Sequence, residues 1–279
     1  MPGGVCAVAV LTLRRLLPSA AGLTGMPALL GVGCGYIAAQ LGIAGLPRLP
    51  PVDSTQAIIF VVVTAVVLGC TALRPVVLPA QHLALRAASV GLLLWLTLRP
   101  VVRYQWGRLE AVLWLGGLGV LLLLLWEGYV RVASRLSPRS SLAGWIAALA
   151  GTGIVLALSS TALFAQLAFV LVATLVVLLL LTRSADRPAL EAALPVLVVL
   201  LAAFVLNGSF YAELSAARAL ALAVSPLGAA AGLAFRRQVD GRALLSAALA
   251  VVGVLLIVAP VLGLAALDWF AAGEAYSDY

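Results

Sequence analysis

The chain carries one histidine, His82, one helical turn ahead of Arg86. An imidazole inside a membrane is suited to proton relay or general-base work. A base needs a placed partner, and no acidic residue lies near His82 in sequence. His82 therefore reads as an interfacial histidine without chemistry. Ser159, Ser160, Thr161 and Gln166 offer hydroxyls and an amide, but a serine nucleophile needs a base, and the only histidine is expected on the other membrane face. Capping of helix ends accounts for them. Glu127, Arg131, Arg135 and Arg139 recur every four residues. Up to Pro138 they share one helix face, as in a charged extension whose arginines reach for headgroups. Glu191 lies in the first turn after Pro188, where the helix dipole favours an acid. Cys6, Cys34 and Cys70 stand alone in apolar runs, without a CxxC pair, and read as small packed residues. No catalytic residue, metal-ligand set or cofactor is implied.

The remaining chemistry falls in two turns expected on the outer face. Arg99, Arg103 and Arg108 sit together beside Glu110, against the rule that arginine collects on the inner side. The stretch Asn207-Gly-Ser-Phe-Tyr-Ala-Glu213 reads as a turn after the seventh apolar run, with Arg218 just inside the next run. The planar fork of arginine suits phosphate and carboxylate. Arg103, Arg108, Tyr211, Glu213 and Arg218 are accordingly the expected ligand-binding residues, for an anion or an anionic lipid headgroup. The alternative is that Glu110 and Glu213 pair with these arginines and seal the outer helix ends.

The elements that must hold these groups follow from composition. Of 279 residues, 64% are hydrophobic and only 10% charged, and mean hydropathy is +1.18. A soluble domain needs a polar shell over its core, and these charges cannot supply one. The chain is an integral membrane protein, and the net charge of +7 is not a nucleic-acid signal, because the arginines cluster at the ends of apolar runs. All 17 basic residues are arginine. The lack of lysine excludes a P-loop or Schiff-base enzyme, and a single histidine excludes multi-histidine metal and bis-histidine haem sites. Arginine in place of lysine also fits GC-rich codon usage, and so a bacterial inner membrane.

A membrane-crossing helix needs about 20 apolar residues to cover about 30 Å of hydrocarbon. Runs of that kind occupy roughly 20–46, 57–79, 83–102, 109–130, 142–159, 162–182, 189–207, 213–235 and 243–267. The fold expected is thus an all-α polytopic bundle of about nine transmembrane helices, or eight if the tight turn at Ser159–Thr161 fails to form. Strands are excluded because a bilayer leaves an open sheet edge unpaired. Residues 1–19 read as a short interfacial segment, 20–267 as one transmembrane domain and 268–279 as an acidic tail. Trp106, Trp126, Tyr129, Trp145, Tyr211 and Trp269 fall near helix ends and are expected at the interfaces. Gly31 with Gly35, and Gly228 with Gly232, are one turn apart and allow close helix contact. Ser225-Pro226 permits a break within the eighth span. With the N-terminus inside, twelve arginines fall inside and five outside, so an N-in, C-out topology is expected.

Small loops and few buried charges lead to the expectation of a non-catalytic membrane component or scaffold. A small-molecule or lipid transporter, or flippase, is the alternative, and an intramembrane enzyme acting on lipid-linked substrates comes third. The expected partners are membrane lipids, anionic ones included, and a protein within the membrane.

Overall fold

The computed structural model describes residues 25–47, 53–73, 79–159, 161–181, 187–234 and 243–277. Among these residues the chain forms helices and no strand, and nine helices are long and apolar enough to cross a membrane. They are α1 (Met26–Ala44), α2 (Ser54–Ala72), α3 (Pro79–Tyr104), α4 (Arg108–Arg135), α5 (Pro138–Leu158), α6 (Ala162–Leu181), α7 (Arg187–Tyr211), the interrupted α8 (Ala216–Ala234) and α9 (Ala243–Ser277). The segment expected to lie at the interface, 1–19, is outside the described residues.

The helix ends have local causes. Asp53 caps α2 by accepting from the Gln56 N–H, and Ser137 caps α5 by accepting from the Ser140 N–H, with Pro138 as the first helical residue. The turn between α5 and α6 does form. The backbone N–H and the hydroxyl of Thr161 both donate to the Leu156 carbonyl, while Ser159 does the same to Val155. These bonds satisfy the last carbonyls of α5, so the two spans stay separate. Within the spans, Thr64, Thr152 and Thr174 return their hydroxyls to carbonyls four residues back, as lipid offers no other partner.

α7 lies at the centre of the bundle and is almost wholly buried from Ala189 to Gly208. Its apolar residues face protein on every side, which is why its sequence shows no polar stripe. Its start packs against α1 and α2: a methyl added to Gly25 would strike the Pro188 carbonyl, and one added to Gly69 would strike the Ala192 carbonyl. A second contact region joins α5, α8 and α9. Gly228 of α8 and Gly253 of α9 meet backbone to backbone, Gly144 of α5 faces Ala229, and Gly151 faces Val258. Small residues allow this approach, and dispersion between close backbones holds helices together where lipid gives no hydrophobic drive. Ser140 on α5 and Ser246 on α9 add a hydroxyl pair at 2.9 Å. Gly31 and Gly35 are buried in α1.

Three differences from the sequence reading, and one agreement, have physical reasons. Residues 207–211 are helical, so Asn207 is a buried residue of α7 and not part of an outer turn. Gly208 does not end the helix because it packs against Leu156 and Leu214; the chain turns after Tyr211, where Glu213 adopts φ 57. Residues 268–277 continue α9 as helix. As Ser225-Pro226 leads one to expect, α8 breaks into a 3-10 turn over Ser225–Ala230, where Pro226 lacks the N–H that would continue the ladder; Ser225 Oγ donates to the Leu222 carbonyl and Tyr129 OH to the Ala223 carbonyl. Finally, Trp126, Tyr129 and Trp145, expected to meet the membrane interfaces, are covered by protein. They are buried, with Tyr129 and Trp145 packed edge to face at 5.2 Å, because Tyr129 is drawn inward to the carbonyls freed at the α8 break.

Candidate functional site

Two polar cavities open at opposite ends of α7. The first, of about 570 Å³, lies where α3 and α7 begin and α4 ends. Its lining includes His82 and Arg86 of α3, Trp126, Glu127 and Ser134 of α4, and Glu191, Leu194 and Pro195 of α7. Glu127 is bound by two arginines: Arg86 Nη1 is 3.1 Å from Oε2, and Arg131 Nε is 3.1 Å from Oε1. The Glu127–Arg131 pair is the one-turn pair that the spacing suggests. The Arg86 pair joins α3 to α4 and is visible only in three dimensions. Glu191 has no hydrogen-bond or ion-pair partner among the described residues. Pro195, four residues on, has no N–H to give the Glu191 carbonyl, so Glu191 has a free carboxylate and a backbone oxygen without its helical partner.

His82 was expected to stand apart from any acid. The bundle instead gathers it into one cavity with Glu127 and Glu191. It bonds to neither carboxylate, and Ser134 Oγ donates to the Arg131 carbonyl. The arrangement therefore holds an imidazole, two carboxylates and a guanidinium around one cavity, without an aligned nucleophile and base.

The second cavity, of about 430 Å³, lies at the other end of α7. Its lining includes Ser159 and Thr161 of the α5–α6 turn, Tyr211 at the end of α7 and Glu213 just after it, Arg218 of α8, and Asp268 and Trp269 of α9. Three of the five expected ligand-binding residues, Tyr211, Glu213 and Arg218, thus come together. Arg103 and Arg108 are exposed and are not part of this lining; Arg103 lies over the ring of Tyr104 at 5.5 Å. Arg218 pairs with Asp268 at 2.5 Å, and not with Glu110 or Glu213. An arginine in the first turn of a helix opposes the helix dipole, and the carboxylate from α9 compensates it. Tyr211 OH donates to the Thr97 carbonyl at 2.7 Å, in the turn of α3 that precedes Pro100.

At a rise of about 1.5 Å per residue, Glu191 and Tyr211 are about 30 Å apart along α7, the thickness of the hydrocarbon layer. Between them α7 presents Leu197, Leu200, Leu201 and Phe204, all buried. No group of three or more histidine, cysteine or acidic residues able to hold a metal ion occurs among the described residues. The site residues missed in sequence were Glu127 and Glu191. The available signal was Pro195 four residues after an acid in an otherwise apolar run. Comparison of the chain with protein-family models, with curated proteins and with solved structures found no match.

Proposed function

We propose that this chain is a membrane transporter for a small cationic solute. The observation that carries the reading is the pair of charged cavities at the two ends of one buried helix, separated by an apolar seal. Ionisable groups are expensive in a membrane and collect where a water-filled pathway uses them. A subunit that only holds others together has no need of them between its own helices.

The charge class follows from the partners. In the first cavity Glu127 is shared by Arg86 and Arg131, so that Glu191 brings these four charges to balance, and its carboxylate and freed carbonyl, which no partner among the described residues holds, are the groups open to a cation. In the second, Arg218 is matched by Asp268, and Glu213 has no ion-pair partner among the described residues. Neither cluster thus carries an excess of positive charge, and in each the group left without a partner among the described residues is a carboxylate. Arg103 and Arg108, exposed near the helix ends, are placed for headgroup contact instead.

The test is solute entry into proteoliposomes, offered isotopically labelled small amines, carboxylates and phosphates in parallel. Entry of an amine above that into empty liposomes, reduced in Glu191→Gln, supports the proposal. Entry of carboxylates or phosphates alone overturns the charge class. Entry equal to empty liposomes for every solute overturns transport and returns the chain to the reading of an assembly component.

A further inference from the structure

Four side-chain oxygens in the bundle are buried from solvent and have no protein partner: Tyr36 OH, Gln40 Oε1, Thr97 Oγ1 and Asn207 Oδ1. Their residues are at most 1% exposed. A polar group buried without a partner is costly in hydrocarbon, so four in one bundle call for an account.

They are not scattered. The start of α1 meets the start of α7 at Gly25 and Pro188, so these helices run parallel. Further along, the Tyr36 ring lies 6.3 Å from that of Phe204. Gln40 is one turn past Tyr36 on α1, and Asn207 is one turn past Phe204 on α7. The α2 helix runs antiparallel to α7, with Gly69 against Ala192. Counting back along α2 and forward along α7 by equal steps sets Thr55 level with Leu206 and Asn207. Gln40 Nε2 donates to that same Thr55 carbonyl, which puts the Gln40 amide at the level of Asn207. Thr97 joins from α3: its carbonyl accepts from Tyr211, one turn past Asn207. The four residues therefore lie within about two turns of one another in depth along the bundle, beneath the second cavity.

Their chemistry calls for a group that can both donate and accept. Both amides have spent a donor on a backbone carbonyl, Gln40 on Thr55 and Asn207 on Ala203, and both leave an acceptor oxygen open. The Tyr36 and Thr97 hydroxyls each keep an O–H to give as well as lone pairs. A cation would meet oxygen ligands, but none of the four residues carries a compensating charge. Asp53, at this end of α2, holds the Gln56 N–H. A neutral group that both donates and accepts fits better, and a buried water makes about three hydrogen bonds to such groups.

We infer that α1, α3 and α7 enclose an internal water site between Tyr36, Gln40 and Asn207, with Thr97 at its outer edge and Tyr211 separating it from the second cavity. The site keeps the outer third of α7 hydrated at membrane depth. This inference does not require transport: it rests on buried oxygens, and its test involves no solute.

X-ray radiolytic footprinting of the full chain in nanodiscs generates hydroxyl radicals from bound water and reads oxidation by mass spectrometry. Tyr36 is expected to be labelled although it has no exposure to bulk solvent. Tyr129 is the internal control, since it is also buried but its hydroxyl is held by the Ala223 carbonyl. A double variant, Gln40→Leu with Asn207→Leu, should label several-fold less at Tyr36. Tyr36 labelling no greater than that of Tyr129 in the unaltered chain would overturn the site, and this comparison holds even if the variant does not fold. Undiminished labelling in a folded double variant would also overturn it. Labelling of Tyr36 that rises several-fold when sodium is replaced by choline would show a cation in place of water.

Discussion

At the scale of single residues, Glu213 and Arg218 show how a helix end is built at some cost. Glu213 is the one non-glycine residue with positive φ among those described, at 57°. A side chain in that region costs about 1–2 kcal/mol, because Cβ crowds the following carbonyl. Glu213→Gly is therefore expected to raise the thermal stability of the purified protein, by about 1 kcal/mol where the position is purely structural; a fall in stability would mean that the carboxylate holds something the backbone alone does not. Arg218 and Asp268 have 21% and 65% of their side chains exposed, so solvent screens their attraction. A double-mutant cycle with Arg218→Gln and Asp268→Asn should give a coupling of about 0.5–1 kcal/mol, shrinking as salt is added. A coupling of zero at low salt would refute the pairing.

At the scale of elements, the broken α8 and its neighbours form the part of the bundle most sensitive to added volume. Gly228 and Gly253 touch through their backbones, whereas a methyl on Gly263, on the same α9, meets nothing within 4 Å. Gly253→Ala should lower stability by about 1–3 kcal/mol through overpacking, while Gly263→Ala should leave it unchanged or raise it by up to about 1 kcal/mol through helix propensity. Melting of the two variants in one detergent decides the matter, and equal effects would contradict the close contact. Tyr129→Phe removes the hydroxyl that serves the Ala223 carbonyl in the break. The expected loss is about 1–3 kcal/mol, the cost of leaving a buried acceptor unpaired. The sequence announced this break through Ser225-Pro226, and the apolar runs placed all nine helices to within a few residues at most ends. It did not announce Tyr129 as the partner, because that contact joins residues 94 positions apart.

At the scale of the whole molecule, the described helices sort the arginines between two ends. Arg86, Arg131, Arg135, Arg139 and Arg187 share the end of the bundle where α7 begins, and Arg99, Arg103, Arg108 and Arg218 share the other. The retention of arginine on the inner side leads us to expect the Glu191 end inside. A periplasmic reporter fused after Tyr279 should then be active and one fused after Arg139 silent. The reverse pattern would invert the topology and exchange the inner and outer cavities, without altering either lining.

The sequence by itself determined the solvent this protein folds in, the apolar runs that cross it and most of their limits, while the choice between eight and nine crossings waited on the turn between α5 and α6. Those properties depend on runs of apolar residues long enough to span hydrocarbon, and on prolines and charges that interrupt the runs. Each is local and survives without knowledge of neighbours. Only the tertiary structure decided which charges meet. His82, Glu127 and Glu191 come from three helices, and Arg218 finds Asp268 rather than Glu110 or Glu213. Asn207 was read as a turn residue and is a buried one. Helix faces in lipid carry little amphipathic signal, since protein-facing and lipid-facing positions are both apolar. Which face turns inward, and so which rare polar groups share a cavity, is set by how closely glycines let the helices approach and not by the pattern along any one of them.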